Sequence, residues 1–445
     1  MLTRRAWLSG MLVLSLATAV GCSNDTESAK SPAAEGGASK TPEAAVDTTK
    51  YTGGPVELTV CDYSTGVNEE EFQKIFAGPV SAKYPDIKMK LTGKCNTAQI
   101  NNDIAANKLA DIILFDNTAV GEMLDAKLPI DLSQTIKSKK VDLTPIATDI
   151  TRTVLRSDGT VIGIPFARNF SAMIYNKDLF DRFAVPYPKE TPTWPELIEL
   201  NRRMTRVDNG VQYIGIGVNS MRALIRQYDM YPIDLKTNTA KITTDGYKTI
   251  LSVLQQIYTT PGYVQNGKYA YNATHFFKDE ILAMQQYQLA GIAVTANQYK
   301  DKTFKWDLTS DPLFEQRPNI AGAVNYYMAS ITTTSTKKDA AFYAIATPLS
   351  PEVQTVVSRG GRLTVLSDTA IINQLAADSG LFKDKNLKAV LKVQAAPSPV
   401  TTKYDNDMYT IINTEMIDNV VLKGTDINTA LREAEEKINR QVLTK

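Results

Sequence analysis

The sequence predicts an α/β protein whose folded body forms two lobes, and three observations support this prediction. Short apolar segments alternate with amphipathic helical segments, an order that favours parallel sheets covered by helices. The body after residue 55 has about 390 residues, more than one hydrophobic core usually holds. Beyond the first 21 residues no stretch approaches the ~20 apolar residues of a membrane helix, so we expect this body to be soluble.

The first elements of the body follow a β–α–β–α–β order. Strands are predicted at residues 56–61, 87–91 and 111–115, where apolar residues run together or alternate. Asn68 can cap the first helix, because glutamates follow at the positive helix end, and Thr118 starts the second helix. These elements predict a parallel sheet in the first part of the body.

The rest of the body continues this alternation. Thr193 and Glu196 have the spacing of a helix capping box, with Leu197, Leu200 and Met204 on one apolar face behind it. Further strands are predicted at 161–166, 171–175, 213–218 and 291–295, and further helices at 250–258, 337–346, 351–358 and 427–442.

Residues 1–21 are predicted to be an export signal. Arg4 and Arg5 precede an apolar run at 6–20 that is too short to span a membrane, and Cys22 follows small residues. A cysteine in that position is typical of a lipid attachment site. We therefore expect a protein that is anchored to the cell membrane through Cys22 and lies outside the cytoplasm. Ordinary secretion with cleavage beside Cys22 is the alternative, and the two arginines fit either the general or the twin-arginine export route.

Residues 22–55 are predicted to form a flexible linker. Ser, Thr, Ala, Gly, Pro, Glu and Lys dominate this stretch, which therefore buries too little apolar surface to fold. As a flexible coil it would span roughly 30 Å, enough to hold the body clear of a membrane surface.

The composition argues against several classes of function. Acidic and basic residues nearly balance at a net charge of +1, which does not suit a nucleic-acid partner. A single histidine, His275, offers no partner for a catalytic triad or a multi-histidine metal site, and we predict it to be a partly buried helix residue. Phosphate-binding glycine motifs are missing from the sequence, so no cofactor or metal is predicted. A secreted carbohydrate-active enzyme stays open, because a glycoside hydrolase needs only two of the 48 acidic residues.

Several segments resemble, in the correct order, the bacterial extracellular solute-binding proteins of family 1. The segment DGTVIGIPF at 158–166 is similar to that family's DGKxYGIPY, and YNKDLF at 175–180 matches a family motif. The helix that starts with TW at 193, the stretch 321–338 and PEVQ at 351–354 continue the resemblance across the body. Thr364, where the family often has proline, departs from the pattern.

The resemblance implies a two-lobe periplasmic-binding-protein-like fold of type II, with hinge strands between the lobes. Lobe 1 would hold residues 56–167 and 291–330, and lobe 2 residues 168–290 and 331–445. It also implies a monomer, not an enzyme, that captures a sugar or oligosaccharide between its lobes and delivers it to the permease subunits of an ABC importer. A different small solute is the alternative within the binding class.

Ligand-binding residues are expected at the carboxyl ends of parallel strands and on the crossings between lobes, where open α/β sheets hold ligands. Trp306 would stack on a sugar ring, with Tyr63 as a second platform, and Asp62, Asp116 and Arg168 would bind hydroxyls. The competing interpretation is structural, since either aspartate can cap a helix and strand alternation sends only one of two adjacent tyrosines inward. The full predicted set is Asp62, Tyr63, Asp116, Asn117, Arg168, Asn169, Thr295, Asn297, Trp306, Tyr326, Tyr327, Arg359 and Arg362.

Two cysteines lie in the body, Cys61 at the end of the first strand and Cys95 shortly after the second. In an oxidising compartment such a pair predicts a disulfide, because the two strands should be neighbours. Two buried free thiols are the alternative.

Overall fold

The computed structural model describes residues 50–156, 158–398 and 401–444. The predicted export signal, the predicted lipidation site Cys22 and the linker up to residue 49 lie outside these residues. Within them, no helix combines the length and the apolar composition needed to cross a bilayer.

The strands in chain order are β1 (Val56–Asp62), β2 (Ile87–Lys94), β3 (Ile112–Asp116), β4 (Ile164–Asn169), β5 (Ser171–Asn176), β6 (Arg206–Asp208), β7 (Val211–Gly217), β8 (Ile233–Asp234), β9 (Thr239–Ala240), β10 (Leu282–Gln288), β11 (Trp306–Ser310), β12 (Ile320–Ala323), β13 (Asn325–Ile331) and β14 (Gln394–Ala396).

The α-helices are α1 (Glu69–Phe72), α2 (Gly78–Lys83), α3 (Thr97–Ala105), α4 (Val120–Asp125), α5 (Ser133–Ser138), α6 (Thr148–Val154), α7 (Lys177–Arg182), α8 (Trp194–Met204), α9 (Met221–Gln227), α10 (Asp245–Tyr258), α11 (Ala273–Phe277), α12 (Leu289–Gln298), α13 (Lys338–Ala346), α14 (Pro351–Arg359), α15 (Thr369–Ile372), α16 (Asp405–Thr410), α17 (Ile417–Val421) and α18 (Ile427–Gln441). Short 3-10 or π-helical turns lie at Gln73–Ala77, Asn117–Ala119, Thr347–Leu349, Gly380–Phe382, Leu387–Lys392 and Ile411–Met416.

The first lobe is built on a five-stranded sheet in the order β2-β1-β3-β13-β4. Strand β1 runs parallel to β2 and β3, whereas β13 runs antiparallel to β3 and β4. The carboxyl ends of β1 to β4 therefore lie at one edge of the sheet, the edge where β13 begins. Apolar residues are buried on both faces, with Leu114 and Phe166 in one core and Ile113 and Phe115 in the other. Covering of both faces is typical of mainly parallel sheets.

The second lobe is built on a sheet in the order β11-β5-β10-β7-β6. Strand β10 runs parallel to β7 and antiparallel to β5, which also pairs antiparallel with β11. The carboxyl ends of β7, β10 and β11 consequently meet the start of β5 at one edge. Helix α10 supplies an apolar stripe to the core of this lobe, including Ile250, Leu254 and Ile257, as its sequence periodicity predicts.

The chain crosses between the two sheets by very short segments. Strand β4 ends at Asn169 and β5 begins at Ser171, so Phe170 alone separates the sheets, and it packs against the cores of both lobes. The return crossing runs from β11 to β13 through β12, which pairs with β14 in a two-stranded sheet. These crossings bring the carboxyl-end edges of the two sheets together.

Two sequence predictions are wrong at this level, while the other predicted strands and helices overlap observed ones. Residues 291–295 lie in helix α12, where Leu289, Ile292 and Ala296 are buried on one face, because a short apolar run does not by itself distinguish strand from helix. The lobe limits also differ from the predicted ones. Strand β11 pairs with β5 in the second sheet, and α13 and α14 contribute to a core of the first sheet.

Cys61 and Cys95 are joined by a disulfide, with their Cα atoms 6.0 Å apart. The strands that carry them are neighbours, as expected, since β1 pairs with β2 along its whole length. The backbone N–H of Cys95 also donates to the carbonyl of Asp62 at 2.9 Å. The disulfide therefore fixes the loop after β2 to the carboxyl end of β1, close to the edge that faces the second lobe.

Candidate functional site

A cavity of about 170 Å³ lies where the edges of the two sheets meet. Thr118, which follows β3, and Asn325, which begins β13, line it from the first lobe. The second lobe supplies residues that begin β5, follow β7 or end β10. The lining residues are Thr118, Ser171, Asn219, Ser220, Arg222, Ala223, Arg226, Gln286, Gln288, Gly322 and Asn325. This is the position at which open α/β sheets bind ligands.

Helix α9 places two arginines in this cavity. Ser220 caps the helix, because its hydroxyl accepts a hydrogen bond from the N–H of Ala223 at 3.2 Å. Arg222 and Arg226 are four residues apart and therefore lie on the same side of the helix. The short helix thus presents two guanidinium groups to the space between the lobes.

Arg226 is the most deeply buried charged group of the cavity, with 7% of its surface exposed. Its Nη1 donates to Oδ1 of Asn325 at 3.0 Å, a hydrogen bond that joins the two lobes. Its Nε and Nη2 have no hydrogen-bond partner among the described residues. Burial, with a smaller effect from Arg222, lowers the pKa of the Arg226 side chain to about 10, so the group keeps its charge at neutral pH.

Arg222 has a counter-ion but also keeps a free donor. Its Nη2 contacts Oδ2 of Asp405 at 2.9 Å, and its guanidinium lies 4.4 Å from the ring centre of Tyr409. The Nε of Arg222 is buried and unpartnered among the described residues. Asp405 also accepts from the hydroxyl of Tyr231 at 2.6 Å, and burial together with this carboxylate raises the pKa of Tyr231. The Asp405 carboxylate therefore already has Arg222 and Tyr231 as partners.

A buried carboxylate, Asp311, lies behind the cavity and binds two of its lining residues. Asp311 accepts hydrogen bonds from the Ser171 hydroxyl at 2.6 Å and from Nε2 of Gln286 at 3.0 Å. Burial raises the pKa of Asp311 to about 6, although these hydrogen bonds act in the opposite direction. A Cβ atom at Gly322 would collide with the carboxylate and with Ser171, so only glycine permits this approach of the β11–β13 crossing.

Asp62 and Asp116 shape turns at the edge of the first sheet. Asp62 is buried and accepts from the N–H and hydroxyl of Thr65, at 2.9 and 2.6 Å. Asp116 accepts from the N–H of Thr118 at 2.7 Å, but it is only partly buried and borders the cavity through Thr118. The oxygens of Asp62 thus hold a turn, and ligand roles for Asp62 and Asp116 stay predictions.

The predicted arginines of the first lobe are engaged in ion pairs. Arg168 donates to Oδ2 of Asp149 and to the carbonyl of Thr364, both at 2.6 Å. Arg362 makes two parallel hydrogen bonds to the carboxylate of Glu71, at 2.9 and 3.1 Å. These ion pairs lie within the protein, and a ligand role for either arginine stays a prediction.

Arg359 differs from these two in lying at the surface. It pairs with the exposed Asp378 at the end of α14 and does not line the cavity. Its ligand role stays a prediction.

Asn117 and Asn169 connect segments at the crossing. The Asn117 amide donates to the Ser398 hydroxyl at 2.8 Å, and its oxygen accepts from the N–H of Tyr326 at 3.1 Å. The Asn169 amide donates to the hydroxyl of Tyr327 at 2.8 Å, and its oxygen accepts from the N–H of Ala290 in α12 at 3.1 Å. Both side chains are buried and link segments of the chain, and a ligand role for either stays a prediction.

The three predicted tyrosines have different surroundings. Tyr326 and Tyr327 point to opposite faces of β13, as alternation requires, yet both are buried because helices cover both faces. Both are core residues, and their ligand role stays a prediction. Tyr63 is partly exposed, and its hydroxyl donates to Glu122 at 2.6 Å. Burial, followed by the hydrogen bond to Glu122, raises the pKa of Tyr63, and its role as a stacking platform stays a prediction.

The remaining predicted residues lie away from the cavity. Trp306 is 9% exposed and packs edge-on against Phe277 and Phe382, at ring-centre distances of 5.5 and 6.5 Å. It pairs with Asn176, the last residue of β5, which is five residues or ~17 Å from Ser171 in the cavity lining. Thr295 and Asn297 lie in helix α12 instead of following a strand. None of these three residues lines the cavity, and their ligand roles stay predictions.

Sequence reasoning located the edge of the sheets but missed the side chains that line the cavity. Arg222, Arg226 and Gln288 were not predicted, although strand 213–218 was. A usable signal is present in MRALIR at 221–226, where arginines recur on a helix that directly follows an apolar strand. Gln288 ends β10, and its Oε1 is buried and unpartnered among the described residues.

Comparisons with known proteins agree with this arrangement. A model of the bacterial extracellular solute-binding proteins matches residues 66–355. No curated protein matches the chain significantly. Among solved structures, a cyclic alpha-maltosyl-1,6-maltose binding protein from Arthrobacter globiformis superposes with a TM-score of 0.69 at 16% identity, over 88% of this chain and 100% of that one.

Two further solved structures have the same architecture. An ABC substrate-binding protein from Listeria monocytogenes, in complex with cycloalternan, has a TM-score of 0.67 at 18% identity, over 87% of this chain and 98% of that one. A sugar transporter from Rhizobium etli in an open conformation has a TM-score of 0.68 at 19% identity, over 86% of this chain and 99% of that one. The predicted two-lobe α/β fold of the periplasmic-binding-protein type is thereby confirmed.

Proposed function

Because this chain belongs to the bacterial extracellular solute-binding proteins, we propose that it captures a sugar or oligosaccharide between its lobes and delivers it to an ABC importer. The members of this family bind solutes outside the cytoplasm, and the fold of this chain is theirs. We further propose that the protein acts as a monomer without catalytic activity and is held at the cell membrane by a lipid on Cys22.

The observation that carries the proposal is the cavity at the meeting edges of the two sheets. Both lobes line it, and buried donors on Arg222 and Arg226 together with an acceptor on Gln288 have no partner among the described residues. Unpaired buried polar atoms are costly, so a polar ligand that satisfies them gains affinity. Saccharides carry both donor and acceptor hydroxyls and therefore suit a mixed set of this kind.

The solved relatives support the choice of a saccharide. The Listeria protein is bound to cycloalternan, and the Arthrobacter protein binds a cyclic maltosyl-maltose. Because identity to these proteins is below 20%, the particular sugar is not carried over to this chain.

A thermal-shift and calorimetric screen over mono- and oligosaccharides tests the proposal. A ligand at a hundred times its dissociation constant should stabilise the protein by about 2.7 kcal/mol, and chromatography should recover it unchanged. Release of shortened products would support a secreted carbohydrate-active enzyme instead. Stabilisation by peptides or other small solutes alone would place the protein with a different transported class.

Anchoring is tested separately from binding. Replacement of Cys22 by alanine should move the protein from the membrane fraction to the soluble one and should abolish labelling by a fatty-acid probe. Retention of the label in the C22A variant would contradict attachment at this cysteine.

Closure of the lobes is tested by solution scattering. If the lobes move as rigid bodies about their short crossings, a saturating ligand should reduce the radius of gyration. An unchanged scattering profile at saturation would contradict capture by closure.

A further inference from the structure

We propose that the solute of this cavity carries an oxyanion, either a uronate carboxylate or a sugar phosphate, which Arg226 and Arg222 bind. This inference rests on the proposed function, because it names the chemical class of solute for the same site. Three observations carry it: the orientation of the free donors on Arg226, the charges of the lining residues, and the commitments of the neighbouring carboxylates.

The free donors of Arg226 are adjacent and nearly parallel. Its Nη1 is used by Asn325, so the unpartnered atoms are Nε and Nη2. These two N–H groups form the side of the guanidinium that donates in parallel to two oxygens of one carboxylate or phosphate. The hydrogen bond to Asn325 leaves this side of the guanidinium unused, and Arg226 is one of the residues that line the cavity.

The lining of the cavity contains two guanidinium groups and, among the described residues, no carboxylate. Arg222 contributes a third free donor, its Nε, on the same face of α9. The lining acceptors that remain are neutral amides and hydroxyls. A ligand therefore meets more positive than negative charge at the surface that it touches.

The nearest carboxylates are already engaged elsewhere. Asp405 pairs with Arg222 and accepts from Tyr231 and Thr402. Asp311, which is not a lining residue, accepts from Ser171 and Gln286, and Asp116 accepts from Thr118. None of the three forms a salt bridge with Arg226, whose only hydrogen bond within the described residues is to a neutral amide.

A buried cation without a counter-ion is unfavourable unless a bound group compensates it. An oxyanion on the solute compensates the charge and satisfies Nε and Nη2 at the same time. A neutral sugar hydroxyl accepts a hydrogen bond but adds no negative charge to the favourable effect that Asp405 and Asp116 already have on Arg226. An acidic saccharide should therefore bind more tightly than a neutral saccharide of the same shape.

Isothermal titration of the full-length mature protein at neutral pH tests this inference. The probes are disaccharides of glucuronate, galacturonate and mannuronate, their methyl esters, the corresponding hexose phosphates and inorganic phosphate. We expect one acid to bind roughly thirtyfold more tightly than its ester, since a charge-assisted pair replaces a neutral contact. Preference for a uronate or for a phosphate identifies the source of the oxyanion.

Two variants assign the effect to Arg226. R226Q should abolish the preference for the acid over the ester, whereas R432Q, at an exposed arginine of α18, should retain it. The ratio of the affinities for the acid and for its ester is measured on the unaltered protein as well. The inference therefore does not depend on how R226Q folds.

The outcomes separate this inference from the proposed function. Equal binding of acid and ester, or binding of neutral saccharides only, overturns the inference and leaves sugar binding intact. A preference for the acid that persists in R226Q overturns the assignment to Arg226. Binding of inorganic phosphate by the unaltered protein but not by R226Q, with no saccharide bound, supports the oxyanion site and overturns the saccharide proposal. A panel in which nothing binds overturns both.

Discussion

Two buried arginines, one in each lobe, have similar burial but very different surroundings. Arg168 lies in β4 of the first sheet and is 5% exposed, whereas Arg226 lies on α9 of the second lobe and is 7% exposed. Arg168 has a carboxylate and a backbone carbonyl as acceptors, and Arg226 has a single amide. Burial lowers the pKa of both side chains. Depth of burial therefore does not distinguish the two arginines, but their unused donors do.

The same contrast extends to the edges of the two lobes. Along the first sheet, polar groups such as Asp62, Asn117 and Arg362 are used by turns and ion pairs within the protein. Along the second, Arg222 and Gln288 keep free atoms. Polar groups at the edge of the first sheet thus have partners within the protein, whereas Arg222, Arg226 and Gln288 of the second lobe keep unpartnered polar atoms.

The largest expected effect comes from removing each arginine in turn. R168M should lower the free energy of unfolding by about 4 kcal/mol, because Asp149 is left as an unpaired, largely buried charge. R226M should leave the stability of the unliganded protein unchanged or increase it, since it removes a buried cation without a counter-ion. Urea denaturation without ligand measures both, and equal losses for the two variants would contradict the contrast.

The second effect concerns Asp311, the buried carboxylate beneath the cavity. Its pKa in the folded protein is about 6, above the usual value of 3.8, so folding favours the protonated form. The stability contribution of this group is therefore greatest below about pH 4, declines as pH rises toward 6 and is constant above, a difference of about 3 kcal/mol. The unfolding free energy of the unaltered protein minus that of D311N should follow this course, and a difference that rises with pH would refute it.

The third effect concerns Trp306, which does not line the cavity between the two sheets. W306A should cost about 3 kcal/mol of stability, because it opens a cavity between Phe277 and Phe382. Affinity measured on the folded fraction should stay within twofold of the unaltered protein, since Trp306 lies at the far end of β11 from the cavity. Calorimetric titration checks this, and an affinity loss with unchanged melting temperature would restore the stacking role.

The smallest effect is expected at the contact between Arg226 and the first lobe. N325A removes the acceptor that fixes the guanidinium plane, so affinity for the solute should fall about fivefold, or ~1 kcal/mol. N219A, an exposed residue of the same cavity that makes no side-chain contact with Arg226, is the matched control. An unchanged affinity in N325A would show that the orientation of Arg226 does not depend on this hydrogen bond.

Local patterns were sufficient for most elements of the fold and for membership of the family. The β1-α1-β2 segment, the capping box at Thr193 and the stripe of α10 are each determined by residues close together in the chain. The family resemblance, based on ordered short motifs, is likewise confirmed by the match over residues 66–355. Where a short apolar run had no flanking signal, as at 291–295, the sequence did not distinguish helix from strand.

The site could not be predicted in the same way, because the state of each polar group depends on distant partners. Arg168 looks like a ligand residue until Asp149 and Thr364 are placed beside it. Arg226 looks like an ordinary helix residue until its one acceptor among residues 50–156, 158–398 and 401–444 proves to be Asn325, 99 residues later. Hydrogen-bonding capacity that remains unused is a property of the folded protein and has no local sequence pattern.

Phe170, the single residue between β4 and β5, has a mechanical consequence. With its ring in the cores of both lobes and one peptide on each side, it acts as a fulcrum, and displacement during rotation grows with distance from it. Asn325 pairs with Asn169, the residue before Phe170, and accepts from Arg226, so the proposed rotation would displace these groups little. If the lobes close as proposed, a solute would engage the arginines early in the rotation.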